Sequence, residues 1–139
     1  MTPKQYLMQV SRAERELQVI NARRRHYIEL ATSFGGIASA VGKKPGHSSK
    51  TETAAVGLID MTSELDEKAR EYTALIREAE AMIAKIPQEN YRKILTLRYL
   101  VGMSFRSISD EMRYTDRGSV YRAHGYALLE MGKVMKDAG

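Results

Sequence analysis

Cysteine and tryptophan are absent from all 139 residues. Without thiols there is no disulfide framework, no thiolate nucleophile and no Cys-ligated zinc, so the fold must hold by packing alone. Aromatic residues make up only 7% and prolines number three, which leaves helix formers dominant. No apolar run reaches the ~18 residues of a membrane-spanning helix; the longest, from Ile94 to Val101, is broken by Arg98. The opening Met-Thr-Pro-Lys-Gln lacks the basic-then-apolar pattern of a secretory signal, so the expected address is cytoplasmic, with no membrane partner.

What is present begins with charge. Lys and Arg total 22 against 17 acidic residues, a net +5 with a pI near 9.5, a mild bias toward polyanions. The bias is unevenly spread. Residues 1–50 carry nine basic and three acidic side chains, residues 51–86 four and eight, and residues 87–139 nine and six. One domain is the size expected of such a chain, with room for an elongated appendage.

Thr2-Pro3 reads as an N-cap followed by a first-turn proline. From there Tyr6, Val10, Ala13, Leu17, Ile20, Arg24, Tyr27, Ala31 and Phe34 recur at alternating steps of four and three, a heptad seam. The glycines, Pro45, Ser48-Ser49 and Lys43, Lys44 and Lys50 predict a flexible basic loop over 33–52. The stepping returns as Leu58, Thr62, Leu65, Ala69, Tyr72, Ile76, Ala79, Ile83 and Ile86. A basic first helix and an acidic second one suit an antiparallel coiled-coil hairpin over 1–86, although the same seams also fit pairing between two chains.

Ile86-Pro87 breaks the pattern. Beyond it, Tyr91, Ile94, Leu95, Leu97 and Leu100 mark a helix stopping at Gly102, Ser104 begins a short one through Phe105, Ile108 and Met112, and Val120, Ala123, Ala127, Leu128 and Met131 define a third. The predicted fold class is therefore all-α: a long helical hairpin followed by a three-helix unit over 87–139. A short helix, a polar turn and a second helix rich in Arg and Tyr have the layout of a helix-turn-helix. Its outer face would carry Arg117, Ser119, Tyr121 and Arg122, with Arg106, Arg113 and Thr115 beside them. Arginine can bond guanine edges in a fork, Ser and Tyr can bond bases or phosphates, and the backbone N–H groups opening the last helix could hold a phosphate.

Ile86-Pro87, Leu95-Thr96-Leu97-Arg98-Tyr99, Gly102-Met103-Ser104-Phe105, Ile108, Met112, Val120 and Leu128 resemble region 4 of sigma-70-type factors, over residues 86 to about 135. With the long helices before it, the string Val120-Tyr121-Arg122-Ala123-His124-Gly125-Tyr126-Ala127-Leu128 is similar to phage-encoded sigma-like regulators of the RinA and ArpU late-gene activator type. The resemblance implies binding to promoter-proximal double-stranded DNA in a bacterial host cell and contact with RNA polymerase. It puts DNA reading on Arg117, Ser119, Tyr121 and Arg122. The chain differs from region 4 at Ser107, where Glu is usual, at Ser109 (Ala), at Arg113 (Gly), and by one additional residue between Met112 and Val120. Nothing resembles region 2, so a complete sigma factor is not expected.

Other features point to bland roles. Gly36 to Gly42-Lys43-Lys44 has the wrong glycine spacing for a P-loop and no preceding strand. His26, His47 and His124 lie on separate elements without metal-ligand spacing, with His124 expected to be partly exposed. Glu64, Asp66, Glu67 and Glu71 suit a solvated face, and Arg24, on the seam, suits either snorkelling to solvent or pairing with an acid of the second helix. No enzyme activity, cofactor or metal is expected. The leading expectation is a sequence-specific DNA-binding transcription regulator, able to work as a homodimer. A small terminase-like packaging subunit and a coiled-coil adapter are the alternatives.

Overall fold

A computed structural model describes the backbone of residues 1–41 and 45–139 and the side chains of residues 1–33 and 52–139. Every element among them is helical: α1 (Pro3–Val41), α2 (Pro45–Ala84), α3 (Glu89–Leu95) continued by a π-helical turn (Thr96–Val101), α4 (Phe105–Glu111) and α5 (Arg117–Ala138). The start of α1 forms as its first residues require. The Gln5 amide donates to Thr2 Oγ1 at 3.1 Å while the Thr2 amide donates to Gln5 Oε1 at 2.9 Å, a reciprocal capping box behind Pro3.

The flexible loop expected over 33–52 is mostly helix instead. α1 runs through Gly35 and Gly36 to Val41, and α2 opens on Pro45. An interior glycine costs a helix only about 1 kcal/mol, and Ile37-Ala38-Ser39-Ala40 continue without a breaker. Proline is favoured in a first turn, so Pro45 marks a beginning and not an interruption. Lys43 and Lys44 lie outside the described residues, as does the side chain of Lys50.

The chain packs as two compact units, Glu16–Glu71 and Met1–Arg15 with Tyr72–Gly139. In the first, Ile20, Leu65 and Ala69 are buried. Of the two roles open to Arg24, pairing is the one found: its Nε lies 2.6 Å from Asp66 Oδ1, both side chains about one-third exposed. A charge on the apolar seam is thus neutralised by the opposing helix.

The second unit crosses the helix break at Ile86-Pro87, which sequence takes as a domain boundary. Leu7, Val10 and Ala13 of α1, Ile76, Ala79 and Ile83 of α2, and Ile86 are buried with the C-terminal helices. Leu7 is fully buried although the 4-3 stepping passes it by, because the apolar face here is wider than a two-helix seam. Tyr6 donates to Glu78 Oε1 at 2.7 Å. Burial, and then the neighbouring Glu78 carboxylate, push the Tyr6 phenol well above its ordinary range. At the break, Arg92 Nη1 donates to the carbonyls of Ile86 (2.6 Å) and Pro87 (2.9 Å), satisfying backbone oxygens of the link between α2 and α3.

α3 packs chiefly on α5, and so does α4. Ile94, Ile108 and Val120 form the buried centre of these helices, walled by Leu97, Met103, Phe105, Met112, Tyr114 and Ala123. Nearly all of these are the apolar positions that helical spacing picks out.

Candidate nucleic-acid interface

Each segment of the candidate site is fixed by local chemistry. Gly102 ends the π-helical turn at φ +88°, a left-handed conformation that favours glycine. Arg98 then stitches the turn, donating to the Met103 carbonyl at 3.1 Å with its guanidinium carbon 4.1 Å from the Phe105 ring centroid. Ser104 caps α4 by accepting from the Ser107 amide at 3.1 Å, and its hydroxyl donates to Ser107 Oγ at 3.0 Å. Ser107 thus stands at the capping-box position where Glu would reach back to the cap.

The turn between α4 and α5 hinges on Arg113, which takes φ +59°. Ser109 is buried, and its carbonyl accepts from the Tyr114 amide at 2.9 Å. Asp116 caps α5: Oδ1 accepts from the Gly118 amide at 3.0 Å, and its carbonyl accepts from the Ser119 amide at 3.1 Å. Of the first amides of α5, expected to be able to hold a phosphate, those of Gly118 and Ser119 are thus engaged by Asp116, which also places a negative charge there. The Gly118 hydrogen bond, followed by Arg122, holds the Asp116 carboxyl below its usual range.

Arg106, Arg113, Thr115, Arg117, Tyr121 and Arg122 are exposed, and Ser119 is half-buried. Arg106 stands on α4, Arg113 and Thr115 in the turn, and the other four on the first two turns of α5. Tyr121 is 58% exposed yet propped against Phe105, ring centroids 5.0 Å apart. Arg122 Nη2 lies 3.3 Å from both Asp116 Oδ2 and Ser119 Oγ. From Ser104 to Arg122, four arginines face three acids, Asp110, Glu111 and Asp116. With Asp116 engaged by Arg122, the surface offers fork-shaped cationic donors beside one exposed aromatic ring.

Behind this face lies a pair that sequence reasoning missed. His124 is only 8% exposed, not partly open as expected, and its Nε2 is 2.8 Å from the Tyr99 hydroxyl. Phe105 meets the His124 ring edge-on at 4.8 Å. Burial, with the charges of Arg98 and Lys4, lowers the His124 pKa, while burial raises that of Tyr99. The only signal in the sequence was that His124 continues the apolar face of Val120, Ala123 and Ala127. No group of three His, Asp or Glu among the described residues could hold a metal ion, and no helix among them is long and apolar enough to cross a membrane.

Fold and surface define an all-helical protein with a small trihelical unit whose last helix presents arginine and tyrosine outward. The chain belongs to a family described as "Protein of unknown function (DUF1492)", whose model matches residues 36–132. No curated protein and no solved structure matches it.

Proposed function

We propose that this protein is a sequence-specific double-stranded DNA-binding regulator in which α4, the turn around Arg113 and α5 act as a helix-turn-helix. The observation that carries this reading is the division of labour on α5. Val120 and Ala123 lock it to Ile108, Phe105 and Met112, while Arg117, Tyr121 and Arg122 stay exposed on its opening turns. A helix held this way can enter a major groove, where arginine forks and a tyrosine hydroxyl find base edges and phosphates.

The likeness to region 4 of sigma-70-type factors is supported at its points of departure. Arg113 takes the left-handed backbone of the usual glycine, Ser107 stands in the capping-box position of the usual Glu, and Ser109 fits the buried site of the usual Ala. On this reading the protein is a phage or prophage late-gene activator touching host RNA polymerase. α1 and α2 form an intramolecular antiparallel hairpin, a pairing supported by the Arg24–Asp66 contact. As a homodimer it would meet half-sites ~34–36 Å apart or at multiples of that spacing.

The test is duplex binding by fluorescence anisotropy across salt concentrations. The logarithm of the binding constant should fall linearly with the logarithm of salt concentration. Arg106→Ala should flatten that slope by about 1 without changing which sequences are preferred. Salt-independent binding, or none near 50 mM salt, would favour a protein-binding adapter.

A further inference from the structure

The first turn of α5 holds an arrangement that the general helix-turn-helix reading does not require. Arg122 does not extend freely into solvent. Its guanidinium folds back along the helix until Nη2 reaches Asp116 Oδ2, six residues earlier, and Ser119 Oγ, each at 3.3 Å. Asp116 serves two masters in this geometry, its other oxygen capping the Gly118 amide at 3.0 Å. The space that the guanidinium crosses exists because residue 118 has no side chain. A β-carbon there would sit 2.8 Å from Arg122 Nη1 and 3.6 Å from its central carbon. Gly118 has no left-handed backbone to explain it, and glycine is a poor residue for a helix. The close approach of Arg122 is the visible reason for it.

We propose that Asp116 and Gly118 form a seat that holds Arg122 as the reader of one guanine in the DNA site, making both of them specificity-determining positioning residues. The inference rests on the DNA-binding reading and deepens it. Although both side chains are 64% exposed, an arginine drawn toward one geometry before DNA arrives has less freedom left to lose when its fork is ordered on a base. Nη2 is committed to Asp116 and Ser119, while Nη1, lying over Gly118, has no hydrogen-bond partner among the described residues, so its donors remain free for a base. Guanine is the partner because its O6 and N7 present two adjacent acceptors in the major groove, which the other bases do not. Asp116 adds a second effect: its charge repels phosphate from the α5 N-terminus and so works against binding in a wrong register.

The experiment is selection of sites from a randomised duplex pool by the full-length protein, comparing wild type with Asp116→Asn, Gly118→Ala, Arg122→Ala and the double variant Asp116→Asn/Arg122→Ala. Asn caps a helix as well as Asp does but carries no charge for Arg122. Ala at 118 improves helix propensity and meets only the far end of a flexible side chain, so both single variants should fold, with unchanged far-UV circular dichroism. The wild type should show one guanine position with the roughly 5- to 150-fold discrimination that a well-made arginine fork provides. Arg122→Ala should abolish it. Asp116→Asn and Gly118→Ala should each reduce it several-fold at that position alone, and Asp116→Asn should add nothing in the Arg122→Ala background. Affinity for unrelated duplexes should rise in Asp116→Asn.

A preference that vanishes in Arg122→Ala but persists unchanged in Asp116→Asn and Gly118→Ala overturns the seat while leaving the DNA-binding reading intact. A preference at that position for a base other than guanine overturns the ligand assignment. Failure of the wild type to select any duplex overturns the DNA-binding reading, and the seat with it.

Discussion

Arg113 is the single non-glycine residue among those described with a left-handed backbone, at φ +59°. A side chain there costs roughly 1–2 kcal/mol relative to glycine. Arg113→Gly should therefore stabilise the fold by about 1 kcal/mol, raising the melting temperature by about 3–5 °C, while weakening duplex binding through loss of an exposed cation. Unchanged melting would show that the turn carries no strain. His124 gives a pH signature. Its pKa lies below the ordinary 6.5 because of burial and the charges of Arg98 and Lys4. Above pH 6.5 it is neutral whether folded or unfolded, and the stability is fully present. As pH falls below that value the unfolded chain takes up the proton first, so stability declines until the folded pKa is passed. Thermal melts at pH 7.5 and 5 should show a loss that is smaller in His124→Gln; equal losses would remove His124 as the cause.

At the scale of elements, short helices depend on their ends. α4 has seven residues, too few to persist in isolation, and Ser104 supplies its cap. Ser104→Ala should cost about 1 kcal/mol. Ser107→Glu, by completing the capping box, should return a few tenths to about 1 kcal/mol in the otherwise native chain; urea unfolding of the two variants checks both signs. Several helix ends were legible in the sequence: the Thr2 cap, the stop at Gly102 and the start at Ser104 all stand where residue chemistry put them. The π-helical turn over Thr96–Val101 was not, since Leu97, Tyr99 and Leu100 fit an α-helical spacing equally well. Nor were the continuation of α1 to Val41 and the start of α2 at Pro45, because an interior glycine weakens a helix by only about 1 kcal/mol and does not end it.

At the scale of the molecule, the trihelical unit is not self-contained. Pro3 Cγ of α1 lies 3.3 Å from where a β-carbon on Gly132 of α5 would stand, and Leu7, Ile83 and Ile86 are buried within the same compact unit. A fragment spanning 87–139 should melt well below the full chain, because it loses the buried apolar side chains of α1 and α2 in that unit, full burial of each large one being worth roughly 1.5–3 kcal/mol. Equal melting temperatures for fragment and full chain would show that residues 1–86 contribute nothing to its stability.

By itself the sequence determined the helical class, the core positions Ile94, Ile108 and Val120, the caps and the arginines of α5, because each follows from spacing or from chemistry within a few residues. Only the tertiary structure decided that Leu7 is buried in the unit that also holds the C-terminal helices, that His124 is buried against Tyr99, and that Asp116 and Gly118 seat Arg122. These depend on which surfaces meet after the chain has turned back on itself, or on the path of a long side chain across a gap left by a missing one, and neither has a period that can be read along the chain.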